Sequence, residues 1–398
     1  MTRVLLAIGG SAYPLSYNGG PRVAHDLLRA AGREPGCACA ALMSRGAGAD
    51  GDDRSAVDRY PNLIDFAATG IRGLRCSPGR WEIDLDYPVL AVDRPGEAFD
   101  EMADAFRPTV CFVQGDGALA MLRRAAARGL GGLWYLHSAA NLAAMGVAHA
   151  AELPVELVCC SRFVARRLRE ELGLPATVLY PLVLEEEYRV ERAPGRGCLT
   201  IFNPVPFKGY EILLGLLPLL PEERFQVVEG WFLGNRLDEV RRDLARYPNA
   251  TLLRRRPDVR EVYRETGLLL APSIGEEGAG RVVLEAQACA IPALVSPRGG
   301  LPEMIGAGGR VVADYRDPAA WAAAVRAVRR DPQELARLGE AARAHLRGEE
   351  FAGESIVRRF LAVCRQAEAR ARLVRPMPAT AATAATPATP GTSAIEGG

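Results

Sequence analysis

The chain has almost no lysine: of 49 basic residues only Lys208 carries an ammonium group, and the others are arginine. Where arginine serves nearly everywhere, the single exception marks a position that calls for a compact point charge in place of a planar fork. Long apolar runs are missing as well. No 18 consecutive residues are apolar, which excludes a membrane-spanning helix. The apolar part of Met1–Ile8 is too short for a secretory leader and reads as a first strand, so a cytoplasmic location is expected. Nine cysteines (37, 39, 76, 111, 159, 160, 198, 289 and 364) make no CxxC set, and they read as buried free thiols. A formal net charge of +1 gives no electrostatic case for nucleic acid or a strongly anionic surface as a partner.

What the sequence does contain is enough apolar material for a large α/β fold. With 398 residues, 49% hydrophobic and 24% charged, it has room for two α/β domains. Strand and helix patterns alternate. Strand 3–8 is followed by a long loop, Gly9–Gly20, and by a helix over Pro21–Ala31; residues 37–44 form the second strand. Short strands are expected near 70–76 and 87–93. From Glu97 the spacing predicts helix 97–106, strand 109–114, helix 117–128, strand 131–136, helix 139–150, strand 155–160, helix 162–172 and strand 177–180. The charged and Pro/Gly-bearing stretch 184–197 breaks the pattern and separates a first domain, 1–183, from a second, 198–352. Residues 353–373 read as one long helix. The Ala/Thr/Pro-rich tail, 374–398, cannot bury a core and is expected to be disordered. Alternating strands and helices imply two Rossmann-like parallel-sheet domains, with ligands at the strands' C-terminal ends.

Candidate chemistry collects at four places. Ala271–Ala286 runs from a strand end through Gly275, Gly278 and Gly280 into a helix over 281–290, with Glu277 and Glu285 flanking the turn roughly 12 Å apart along such a helix. A helix N-terminus with free N–H groups favours phosphate. Gly20 before Pro21 makes a second such terminus, without the GxGxxG spacing of a dinucleotide fingerprint. His137 ends a strand in Trp-Tyr-Leu-His-Ser, with Ser138 and Asn141 close by. The sole lysine lies in the loop Asn203-Pro-Val-Pro-Phe-Lys208-Gly209. Asp84-Leu-Asp86 matches a DxD pair, but two alternating acids occur too often by chance to carry weight.

Pro-Ser, Glu-Gly-x-Gly, Leu-Glu-Ala, Cys-Ala-Ile-Pro-Ala-Leu-Val-Ser and Gly-Gly-Leu-Pro-Glu303 follow in this order within one stretch, and they closely resemble the C-terminal half of family 4 glycosyltransferases. That resemblance implies a GT-B fold whose last helix, 353–373, crosses back onto the N-terminal domain. It also implies a retaining, hexosyltransferase-type enzyme that uses a nucleoside-diphosphate sugar, UDP- or GDP-linked, as donor substrate, with no metal and no further cofactor. The acceptor would be a small molecule or a glycan. By the same resemblance Lys208, Glu277 and His137 are catalytic, and Gly20, Asn203, Gly278, Ala279, Gly280, Arg281 and Glu285 bind the donor. Tyr17, Asn18, Arg22, Ser138 and Asn141 are acceptor-side candidates. Relatives place an arginine where this chain has Asn203; Arg22 or one of Arg254–Arg256 is then expected to supply the missing charge. Two rivals stay open: a non-hydrolysing sugar-nucleotide epimerase on the same fold, and a noncatalytic partner subunit.

Overall fold

The computed structural model describes residues 1–16, 19–46, 69–191, 196–231, 233–256 and 258–374. Tyr17, Asn18 and the tail from 375 onward lie outside the described residues.

Two sheets carry the fold. The first has nine strands in the order β3-β4-β5-β2-β1-β6-β7-β8-β9. Its strands are β1 (Thr2–Ala7), β2 (Cys37–Ser44), β3 (Gly73–Ser77), β4 (Arg80–Asp84), β5 (Pro88–Val92), β6 (Val110–Val113), β7 (Gly131–Leu136), β8 (Val155–Cys159) and β9 (Thr177–Val178). The pairs β3–β4 and β4–β5 are antiparallel and the remaining pairs are parallel. The second sheet is parallel throughout, in the order β12-β11-β10-β13-β14-β15. It is built from β10 (Cys198–Phe202), β11 (Phe225–Val228), β12 (Ala250–Leu253), β13 (Thr266–Ala271), β14 (Ala293–Val295) and β15 (Gly309–Val311). Every residue of β6, β7, β10, β11, β13 and β14 is buried. This is the pattern of a parallel sheet covered on both faces, and it explains why these strands appear as unbroken apolar runs.

The helices that matter for the site are α1 (Gly19–Gly32), α2 (Pro95–Phe106), α3 (Ala118–Ala127), α4 (Arg162–Leu172), α5 (Glu185–Tyr188), α6 (Tyr210–Leu219), α7 (Arg236–Leu244), α8 (Arg260–Glu265), α9 (Arg281–Ala288), α10 (Leu301–Ile305), α11 (Pro318–Arg330), α12 (Pro332–Leu346) and α13 (Gly353–Leu373). The short α5 lies in the connection between the two sheets. The long α13 leaves the second domain and packs against β7 and β8 of the first. The contact is close: a Cβ on Gly131 would lie 2.4 Å from the Ala367 carbonyl. Arg370 also donates to the Val155 carbonyl at 3.1 Å. One apolar core runs from the first sheet through α13 to α9 and the near face of the second sheet, while a separate cluster around Leu213, Leu216, Trp321 and Val325 fills the far face.

Two local expectations fail. Residues 139–150 do not form an α-helix: they make a series of turns and then a 3₁₀ helix over Val147–Glu152. Asn141 and Gly146 both have left-handed backbones, with φ of 60° and 73°, and an α-helix cannot run through either. The strand β4 was not foreseen, although Trp81 and Ile83 point inward while Arg80, Glu82 and Asp84 do not, the alternation of a half-buried strand. Asp84 and Asp86 pair with Arg72 and Arg33 at 2.9 and 3.1 Å. Among the described residues no cluster of acids, histidines or cysteines has the arrangement to hold a metal ion.

Candidate functional site

The loop after β10 is set by its backbone. Asn203 is left-handed, φ 58°, and its Oδ1 accepts the Trp231 N–H at 2.9 Å, so the side chain anchors the turn after β11. Gly209 has φ 85°, and a Cβ there would lie 2.1 Å from the Pro272 carbonyl oxygen. Only glycine fits, which packs the Lys208-Gly209 turn directly against the loop after β13. The Phe207 carbonyl accepts N–H bonds from Ile274 and Gly275, both at 2.9 Å.

This packing delivers the lone ammonium to an acid. Lys208 Nζ donates to Glu277 Oε1 at 2.5 Å and Oε2 at 2.6 Å. Ser273 Oγ donates to Glu277 Oε1 at 2.5 Å, and Ser296 Oγ holds the Ser273 carbonyl at 2.6 Å. The Gly300 N–H holds the Glu277 carbonyl at 2.8 Å. Of three ammonium N–H groups, two are committed to one carboxylate. The same Nζ lies 5.4 Å from the Phe207 ring centroid and 5.5 Å from that of Trp231. These two rings are stacked, with centroids 6.0 Å apart and planes at 15°. Aromatic faces attract a cation at such range, so the rings help to place the charge.

The next turn brings the domains together. Gly280, φ 80°, is the residue before α9, and the helix's first turn opens on the cleft. The first N–H groups of a helix lack intrahelical partners. A Cβ on Gly278 would fall 1.8 Å from the His137 carbonyl oxygen, and Ser161 Oγ donates to the Gly278 carbonyl at 2.6 Å. From the other side, a Cβ on Gly20 would meet the His137 ring at 3.2 Å. Gly20 itself sits in the first turn of α1, which begins at Gly19, two residues earlier than the proline signal suggests. His137 is thus framed by a glycine from each domain. Its Nε2 faces Gln114 Oε1 at 2.5 Å, which makes Nε2 the donor, and the Tyr135 ring lies edge-on at 4.5 Å. Burial pushes its pKa down to about 3, so the imidazole is neutral at ordinary pH.

Glu285 lies one turn further along α9. Its Oε1 accepts from Arg281 Nε at 2.7 Å and its Oε2 from Tyr263 OH at 2.7 Å. A carboxylate has about four acceptor positions, so capacity is left for hydroxyls from a ligand. Burial and the neighbouring carboxylate raise the Tyr263 phenol well above its ordinary range, so it stays a donor. Arg281 contributes its main chain to the turn, while its guanidinium is buried on four partners.

A cleft of about 780 Å³ joins these parts. Gly20, Arg22, His137, Ser138, Asn203, Lys208, Glu277, Gly278, Ala279, Gly280, Arg281 and Glu285 all line it. Asn141 does not: it is exposed and turns the chain away after β7. Arg255 and Arg256 line the cleft beside α8, whereas Arg254 pairs with the buried Glu229 at 2.6 Å. Arg22 stacks on Tyr13 at 5.0 Å and pairs with Asp26 at 3.1 Å. Sequence reasoning missed Phe207, Trp231, Glu229, Gln114 and the α5 acids Glu186 and Glu187, all on or beside the cleft.

Residues 200–345 match the family model for glycosyl transferases group 1, the segment that holds Lys208, Glu277 and Glu285. The chain has the GT-B fold, and its segment 200–345 is similar to the glycosyl transferases of group 1. It is 30% identical over 189 residues to a D-inositol 3-phosphate glycosyltransferase from Corynebacterium kroppenstedtii, a match covering 45% of this chain and 39% of that protein. The chain therefore spans about two fifths of the length of that curated relative. In fold it is similar to HepE from Anabaena in complex with UDP and glucose, with TM-score 0.66, 16% identity, 92% of this chain and 100% of the other. Sucrose-phosphate synthase from Thermosynechococcus elongatus gives TM-score 0.67 at 14% identity, over 93% and 100% of the two chains. Among the described residues no helix is long and apolar enough to cross a membrane.

Proposed function

We propose that this GT-B protein is a retaining, metal-independent glycosyltransferase that moves a hexosyl group from a UDP- or GDP-linked sugar to a small-molecule or glycan acceptor. The observation that carries the reading is the Lys208 ammonium, held on Glu277 beside two stacked aromatic rings and lining one cleft with Gly20 and Arg22 of α1. A nucleoside diphosphate placed there meets Lys208 and the amides before α9, which stabilise charge as it develops on the departing phosphate. Glu285 accepts the ribose diol, Glu277 takes sugar hydroxyls, and the neutral His137 bonds the sugar from the opposite domain.

In this scheme the bond from the anomeric carbon to the phosphate oxygen breaks as the acceptor oxygen approaches on the same face. The acceptor proton passes to the departing phosphate oxygen, and no enzyme carboxylate serves as base. The HepE complex with UDP and glucose and the inositol 3-phosphate relative support a nucleotide-sugar donor and a polyol or glycan acceptor. Incubation with a panel of nucleotide sugars and candidate acceptors tests it, with free nucleoside diphosphate as the readout. Transfer is expected with one donor, and Lys208→Ala is expected to reduce turnover by roughly two to three orders of magnitude while staying folded, as for loss of a preorganised donor. An epimerised nucleotide sugar, or no product with any donor, would overturn the proposal.

A further inference from the structure

Arg281 opens α9, yet its side chain serves three parts of the molecule. Nη2 donates to Asp26 Oδ2 at 2.6 Å and to Tyr188 OH at 2.7 Å, Nη1 to the Leu182 carbonyl at 2.8 Å, and Nε to Glu285 Oε1 at 2.7 Å. Asp26 belongs to α1 in the first domain, Leu182 and Tyr188 to the segment joining the two sheets, and Glu285 to the second domain. All the side chains are enclosed: Arg281 is 7% exposed, Asp26 3% and Glu285 11%. Asp26 also takes Arg22, which lines the cleft, at 3.1 Å. The result is a continuous line of charge, Glu285–Arg281–Asp26–Arg22, running from the donor side of the cleft to its opposite wall.

Such an arrangement is a poor choice for stability alone, since a buried ion pair can often be replaced by apolar side chains of similar volume at no loss. Its distinctive property is directional. The planar fork shares the Glu285 carboxylate with Tyr263 and is itself held by Tyr188 and, from the first domain, by Asp26, a contact that exists only while the two domains are packed together. Asp26 does not itself line the cleft.

Building on the nucleotide-sugar reading above, we propose that Asp26 is a positioning residue for the donor. It acts through Arg281 to orient the Glu285 carboxylate, so that the affinity of the second domain for a nucleotide depends on a residue of the first. Nucleotide binding and domain closure are thereby one thermodynamic event, and by linkage each strengthens the other.

The test is calorimetric titration of the full chain with UDP and GDP, run on wild type, Asp26→Asn, Glu285→Gln and the double variant. Asp26→Asn is expected to weaken nucleotide binding about tenfold, although the residue cannot touch the ligand. In the Glu285→Gln background the same change is expected to alter affinity by less than about twofold, because the effect runs through that carboxylate. Small-angle scattering is expected to show Asp26→Asn with a larger radius of gyration and less compaction on adding nucleotide. Should Asp26→Asn fail to fold, Tyr188→Phe removes one bond from the same guanidinium, and a loss of about threefold is expected. Wild-type affinity in Asp26→Asn or in that substitute, or equal losses from Asp26→Asn in both backgrounds, would sink the proposal. A wild-type protein that binds neither nucleotide overturns the donor reading itself, and the positioning role goes with it.

Discussion

At the scale of single residues, the lone lysine explains why an arginine-rich chain keeps one ammonium. The ammonium sits beside the stacked Phe207 and Trp231 rings and donates to both oxygens of Glu277. A guanidinium is planar, broader and carried on a longer side chain, so its charge cannot occupy the same point beside Glu277 and the rings. Lys208→Arg is therefore expected to lose at least about tenfold in turnover despite keeping its charge, measured as nucleoside diphosphate release. A fully active Lys208→Arg would show that charge alone suffices. The acid–base behaviour of His137 gives a second residue-scale test. Its folded pKa, about 3, lies below its ordinary 6.5, so between these values the unfolded chain binds more protons than the folded one. Stability must then rise with pH through that window and fall as the solution is acidified from about pH 6.5 toward 3. His25, buried against Tyr13 and Tyr87 and also lowered well below its ordinary range, adds to the slope. His137→Gln is expected to reduce the slope of unfolding free energy by up to about 1.4 kcal/mol per pH unit between pH 6 and 4. Urea titrations across that range measure it. An unchanged slope would mean that the imidazole is solvated.

At the scale of elements, what the sequence made legible depended on whether a pattern was local. The parallel strands of the first sheet and the helix 353–373 were readable because their apolar periodicity lies within each segment, and the motif turns because glycine positions mark them. The turn at 139–150 was not, because alanine-rich composition favours a helix while Asn141 and Gly146 adopt backbone conformations that no propensity announces. Trp231 had a signal that went unused: an aromatic just beyond the C-terminal end of β11, where open α/β sheets gather ligands. Arg281's partners were invisible, since Asp26 and Tyr188 are remote in sequence and only the fold brings them together. The glycine turns make a prediction of their own. Gly209→Ala combines a left-handed backbone with a contact of 2.1 Å to the Pro272 carbonyl. Backbone strain of this kind costs about 1–3 kcal/mol. The midpoint of urea unfolding should fall accordingly, and because the turn carries Lys208 the turnover should fall with it. A variant as stable as wild type would show that the loop relaxes.

At the scale of the whole molecule, the first domain is held to the second by more than the chain between them. Glu303 of α10 accepts the Arg162 and Phe163 N–H groups at the start of α4 at 2.8 and 2.7 Å, together with Tyr180 OH at 2.9 Å. A carboxylate at a helix N-terminus is well placed for both hydrogen bonds and dipole. The second attachment is α13, which belongs by sequence to the second half and by packing to the first. Because its buried face joins the common core, the helix has to follow any movement between the sheets or resist it. At Gly131 β7 and α13 are in close contact, with Ala367 carbonyl atoms 2.4 Å from where a Cβ would stand. Gly131→Val must push the helix off the sheet, and overpacking of a tight core costs about 1–3 kcal/mol. The variant should unfold at lower temperature by calorimetry. If α13 transmits closure, it should also lose part of the thermal stabilisation that saturating nucleotide gives the wild type, about 2.7 kcal/mol at 100 times the dissociation constant. A variant destabilised without ligand but stabilised as much as wild type by nucleotide would assign the helix to the fold alone, with closure carried by the Arg281 and Glu303 contacts.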